Sequence, residues 1–190
     1  TEVVFGQNMT SLNIQLASAL SRTWGADDEV VVTRLDHDGN VRPWTLAAEW
    51  SGAKLRKIDV KQEDCTLDME SVVDSINEKT VLVAIGAASN LSGSVNDVRR
   101  IVEISHGFGA EVVVDAVHFA PHSLIDVGSM GCDYLLCSPY KFFGPHQGLL
   151  WGKGQRMANI HVAKLRVTSE DMQFQWQTGP RTFPYTHMHH

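Results

Sequence analysis

The chain has 190 residues, 43% of them hydrophobic and 20% charged, the make-up of an ordinary globular domain with one sizeable core. A net charge of −6 with scattered basic residues argues against nucleic acid as a partner, and no apolar run reaches the roughly 20 residues that cross a bilayer. Its three cysteines, Cys65, Cys132 and Cys137, form no CxxC pair and no zinc-type spacing, so no metal site and a reduced, cytoplasmic setting are expected.

Apolar, β-branched runs alternate with segments of helical period. The first run, EVVF (2–5), precedes a helix predicted from about Met9 to Trp24, whose Leu12, Leu16, Ala19 and Leu20 share one face. EVVVT (29–33) and KLRKI (54–58) flank a helix predicted over Trp44–Ser51. TVLVAI (80–85) follows a helix at Met69–Asn77, and EVVV (111–114) follows one at Val95–Gly107 with Val98, Ile101, Val102 and Ser105 inward. DYLLC (133–137) and GLLW (148–151) close the series. Strands that are apolar throughout, separated by helices, predict a mostly parallel sheet with helices on both faces. Ser138–Gln147 holds no obvious helix and is too short for a crossover, so the last two strands should be antiparallel or remote. The expected architecture is α/β, seven-stranded, with one strand reversed.

In such sheets chemistry gathers where strands end. After EVVF the turn Gly6-Gln7-Asn8-Met9-Thr10 opens a helix whose free N–H groups suit a phosphate, or is simply an N-cap. His37 follows EVVVT and could stack on a flat ring, act as acid or base, or sit solvated in its loop. Asn90 follows TVLVAI, in a position to donate to a ligand oxygen or to make a routine turn. Asp115 ends EVVV, a costly place for a carboxylate without a positive partner, with His118 three residues on. Lys141 follows DYLLC and Ser138, among Tyr140, Phe142 and Phe143. Desolvation there would depress its pKa and make its amine nucleophilic; a solvated surface lysine is the plainer alternative. All five sites follow strands of one predicted sheet.

These stretches resemble the large domain of class V aminotransferase-fold enzymes, specifically the cysteine desulfurase-like group. The matching segments are FGQNMTSLN, LDHDGNVRPW, ASNLSGSVNDV, VDAVHFAPHSLIDV and CDYLLCSPYKFFGPHQGLLWG, in family order over roughly residues 3–152. The resemblance implies the large domain of the fold type I transferases that depend on pyridoxal 5'-phosphate (PLP). It implies that Lys141 binds the cofactor covalently and moves protons at the substrate's α-carbon, that Asp115 pairs with the ring nitrogen, and that His37 stacks on the ring. Asn90 and His118 would contact the phenolic oxygen, and Asn8, Met9, Thr10 and Ser138 the phosphate. Thr178 would reach the phosphate of a partner subunit, which implies a homodimer with its site near the interface. The sequence departs from the family at Tyr140, where histidine is common, at Asn8-Met9-Thr10, where Gly-Thr-Thr is commoner, and at Pro180 after Thr178-Gly179.

The expected organisation is a PLP-binding core over 1–160, a partial continuation over 161–182, and a tag-like tail over 183–190. The family's small domain, with its substrate-clamping arginine and sulfur-accepting cysteine, is expected to lie outside the chain. The implied activity is a PLP-dependent lyase or transferase acting on cysteine or a similar small amino acid. The alternative is a catalytically inactive PLP-binding or interaction module. A nucleotide-binding domain is disfavoured because no GxGxxG or Walker-type loop is present.

Overall fold

A computed structural model describes residues 3–160. The apolar runs become strands with bounds within a residue of those expected: β1 Val3–Gly6, β2 Glu29–Thr33, β3 Lys54–Ile58, β4 Thr80–Gly86, β5 Glu111–Asp115, β6 Tyr134–Cys137 and β7 Gly148–Gly152. They form one seven-stranded sheet in the order β1-β7-β6-β5-β4-β2-β3. The pairs among β2 to β6 are parallel, whereas β7 runs antiparallel to both β6 and β1. One strand is therefore reversed, as the short Ser138–Gln147 connection requires.

Helices α1 Met9–Leu20, α2 Asp38–Ser51, α3 Met69–Ser75, α4 Val98–Gly107, α5 Val127–Met130 and α6 Gly154–Asn159 complete the fold. Residue alternation along each strand divides the interior into two cores. Leu12, Leu16, Val30, Val32, Trp44, Ala84, Val113 and Leu136 lie on the α1–α2 side; Val31, Ile58, Val72, Ile85, Ile101, Val112 and Val114 lie on the α3–α4 side. Every residue of β2 is buried, the mark of a strand covered on both faces. No helix among the described residues is long and apolar enough to cross a membrane.

Four helix bounds differ from expectation, the mildest being α3, which ends at Ser75 and not Asn77. The first helix stops at Leu20 and passes into a 3-10 turn at Ser21–Thr23, and α4 begins at Val98 because Asp97 caps it by accepting from the Arg100 N–H at 3.0 Å. The largest difference is α2, which starts six residues before Trp44 and carries Pro43 inside it. A proline there has no N–H for the carbonyl four residues back, which is Gly39. That carbonyl instead accepts from Asn13 Nδ2 at 2.9 Å, across from α1. A side chain on one helix thus repairs the proline gap in another and lets α2 begin at the end of β2.

Candidate active site

The carboxyl ends of the parallel strands and the start of α1 converge on one side of the sheet. The turn between β1 and α1 is laid against β7: a Cβ on Gly148 would collide with the Asn8 backbone, so only glycine allows the approach. Asn8 caps α1 with its side chain, accepting from the Ser11 N–H at 2.8 Å, and Met9 donates its N–H to Ser138 Oγ at 3.0 Å. The start of α1 is thereby tied to the residue after β6. Thr10 Oγ1 and His37 Nδ1 both border Gly39, at 2.8 and 3.0 Å from where its Cβ would stand. The expected phosphate turn and the expected ring-stacking histidine are neighbours.

His37 also caps α2: its Nδ1 accepts from the Gly39 N–H at 2.9 Å, which fixes the ring and leaves Nε2 without a hydrogen bond among the described residues. Asp115, at the end of β5, is 7% exposed, and its side-chain hydrogen bond comes from the Val117 N–H at 2.9 Å. Burial pushes its pKa up to about 7; the Val117 hydrogen bond opposes this, the nearby Asp36 charge adds to it, and Lys141 counters. His118 is half-buried, and burial, together with the charge of Lys141, holds its pKa below the ordinary histidine range.

Lys141 lies in the 3-10 turn Pro139–Phe142. Its side chain is exposed, so the described residues do not supply the desolvation expected of it. Tyr140 stacks on His146, with ring centroids 4.4 Å apart and planes 3° from parallel. Asn90 stands exposed on the turn after β4 and makes no side-chain hydrogen bond among the described residues. Thr178 lies outside them. The structure therefore assembles Asn8, Met9, Thr10, His37, Asp115, His118, Ser138 and Lys141, with Asn90 on the turn beside them.

A second layer escaped sequence reasoning. Asp36 Oδ2 accepts from the Gly86 N–H at 2.8 Å and from Asn40 Nδ2 at 3.0 Å. Asn40, fully buried, accepts through Oδ1 from Asn13 Nδ2 at 3.2 Å, and Trp44 Nε1 lies 3.4 Å from the same oxygen. This polar chain runs from α1 under the His37 turn to the end of β4. Its one legible signal is Asn13, a polar residue on the Leu12–Leu16 face of α1.

The chain matches the family Aminotransferase class-V over residues 1–180. It belongs to that family. Among class V relatives it is 40% identical over 154 residues to a probable cysteine desulfurase of Halalkalibacterium halodurans, covering 80% of this chain and 38% of that protein. It is 35% identical over 161 residues to an aminotransferase-like protein of Gibberella zeae, covering 84% of this chain and 40% of that protein. The cysteine desulfurase CsdA of Escherichia coli superposes with a TM-score of 0.83 at 25% identity, over 90% of this chain and 44% of the other. This class V chain is thus cysteine desulfurase-like in sequence and fold, and spans about two-fifths of the length of these curated relatives.

Proposed function

We propose that this chain is the cofactor-binding core of a PLP-dependent enzyme of the cysteine desulfurase-like group, acting on cysteine or a similarly small amino acid. The observation that carries the reading is Asp115: a carboxylate buried at a strand end, one hydrogen bond to it, and no ion pair within the described residues. Such a group favours a cation placed beside it, and a protonated pyridine nitrogen is one. The start of α1 fits the other end of the cofactor, because Met9 and Ser138 meet there and the helix dipole favours an anion.

When bound, PLP supplies an electron-poor ring that labilises a bond of the attached amino acid. Asp115 would keep the ring nitrogen protonated. His37, held by its own cap on α2, would lie on the ring face, and His118 with Asn90 would contact the phenolic oxygen. Asn8, Met9, Thr10 and Ser138 would hold the phosphate. Lys141 would hold the cofactor through its amine and move a proton at the substrate's α-carbon. Exposed Leu91, Leu124 and Phe143, at 90%, 92% and 106% exposure, stand on the loops after β4, β5 and β6 and support a second copy of the chain covering this end. In that dimer Thr178 of one subunit would reach the phosphate of the other. A cytoplasmic setting agrees with the reduced thiols.

Borohydride reduction of PLP-treated protein, followed by peptide mapping, tests the reading. The phosphopyridoxyl label should fall on Lys141, and Lys141→Ala should abolish it. Label on another lysine, or none in protein saturated with PLP, would overturn it.

A further inference from the structure

Asp115 does not stand alone at its strand end. In the parallel pair β4–β5, Gly86 is in register with Asp115, as Ala84 is with Val113. Partners in a parallel pair point to the same face, and Ala84 and Val113 both face the α1–α2 core. The missing side chain of Gly86 therefore belongs on the same face as the Asp115 carboxylate. Asp36 occupies that space: a Cβ on Gly86 would lie 2.6 Å from Asp36 Oδ1. Two hydrogen bonds clamp Oδ2, while Oδ1 is sealed from solvent with no hydrogen-bond partner among the described residues. A glycine thus makes room for a second carboxylate beside the first.

We propose that Asp36 is a positioning residue for Asp115: its carboxylate, lodged over Gly86, places a second negative charge beside Asp115 and strengthens that residue's hold on a protonated ring nitrogen. This rests on the reading of Asp115 as the ring-nitrogen partner. The groups facing Asp115 are Asp36 from the β2–α2 turn, Lys141 from the turn after β6, and the Cys137 thiol at the end of β6. His118 stands beyond, near Lys141, His37 and His122. Lys141 is the cation of the set and stands exposed, while both carboxylates are buried, so the base of the site carries an excess of negative charge. Burial pushes Asp36 up to about 6, against its hydrogen bonds from Asn40 and Gly86 and the nearby Thr33 hydroxyl; it is charged at neutral pH, when its effect on the neighbour is felt.

Two measurements decide this. In cofactor-free protein with carboxyl-labelled aspartate, NMR titration should place both carboxyls above the ordinary range, and Asp115→Asn should lower the Asp36 midpoint by about half a pH unit or more. An Asp36 midpoint that ignores Asp115→Asn overturns the proposal. In protein loaded with PLP labelled at the ring nitrogen, Asp36→Asn should make that nitrogen lose its proton about one pH unit lower, a tenfold weaker grip. Asparagine keeps an acceptor for Gly86 and Asn40, so a merely structural role would leave the midpoint unmoved, and that result also overturns the proposal. If Asp36→Asn does not fold, the first titration decides alone. Wild-type protein that takes no PLP on Lys141 sinks the functional reading instead, and the first titration still tests the carboxylate pair.

Discussion

Neighbouring strands β5 and β6 each bury an aspartate, at opposite ends of the sheet, and the two are treated in opposite ways. Asp133, just before β6, is fully provided for. It receives His106 Nε2 at 2.8 Å, Lys153 Nζ at 3.0 Å and the Val112 N–H at 2.8 Å, with Arg156 3.6 Å away. Burial alone would raise its pKa, yet the bonds from His106, Val112 and Lys153 outweigh it and hold the carboxyl below the ordinary range. Among the described residues Asp115 has one hydrogen bond and a second carboxylate for company. The chain can satisfy a buried carboxylate, and does so at the end of the sheet away from the candidate site. Leaving Asp115 undersupplied is the pattern of a group that meets its cation from outside the fold.

Removing each carboxylate should therefore shift stability in opposite directions. Asp133→Ala leaves the Val112 N–H and a cluster of cations without their buried acceptor, and should cost about 3–5 kcal/mol in a urea melt near pH 7. A loss below about 1 kcal/mol would mean that the cluster is surface decoration.

Asp115→Asn should stabilise cofactor-free protein. The Asp115 pKa is raised from 3.8 to about 7 in the folded state, so its protonated form stabilises the fold below about pH 4, and that contribution is lost as pH rises through 7. The variant should gain about 2–4 kcal/mol above pH 7 and nothing below pH 4. Equal melting temperatures for variant and wild type at pH 8 would break the contrast with Asp133. If the ring nitrogen of PLP pairs with Asp115 as proposed, the sign should reverse with the cofactor bound.

The smallest effect sharpens the comparison at the site itself. Asn13→Leu strands the Gly39 carbonyl that Pro43 cannot serve, and should cost about 1–2 kcal/mol. Because Gly39 is also the residue that His37 caps, the same variant should weaken PLP binding several-fold more than an equally destabilising change in the α3–α4 core. Parallel losses in both variants would show that Asn13 only stabilises.

The strands, the reversed β7 and the positions of Asp115 and Lys141 were legible because each is a local break in an apolar run, which a single sequence displays. Asp36 was not, since Asp36-His37-Asp38-Gly39 has the composition of an ordinary turn and nothing local says that Gly86, fifty residues on, opens a berth for it. The start of α2 was hidden for a related reason: Gly39 and Pro43 both argue against a helix, and the remedy comes from Asn13 on a different element. The expected desolvation of Lys141 rested on its aromatic neighbours in sequence, but Phe143 points outward with a left-handed φ of 67° and shelters nothing. What pairs across the sheet is invisible to reasoning that proceeds along the chain.

The reversed strand has a consequence for how the site comes into being. β1 is held in the sheet by β7 alone, through pairs such as Val3 with Trp151 and Gly6 with Gly148. On the ribosome β1 and the turn behind it therefore emerge before their sheet partner among the described residues, and wait until about 140 further residues have been made. At roughly 5–20 residues per second that delay is on the order of ten seconds, during which β2, β4 and β5 can already pair. The turn at the start of α1 closes on the sheet only when β7 clasps β1. For β1, position in the chain and order of assembly into the sheet thus run in opposite directions.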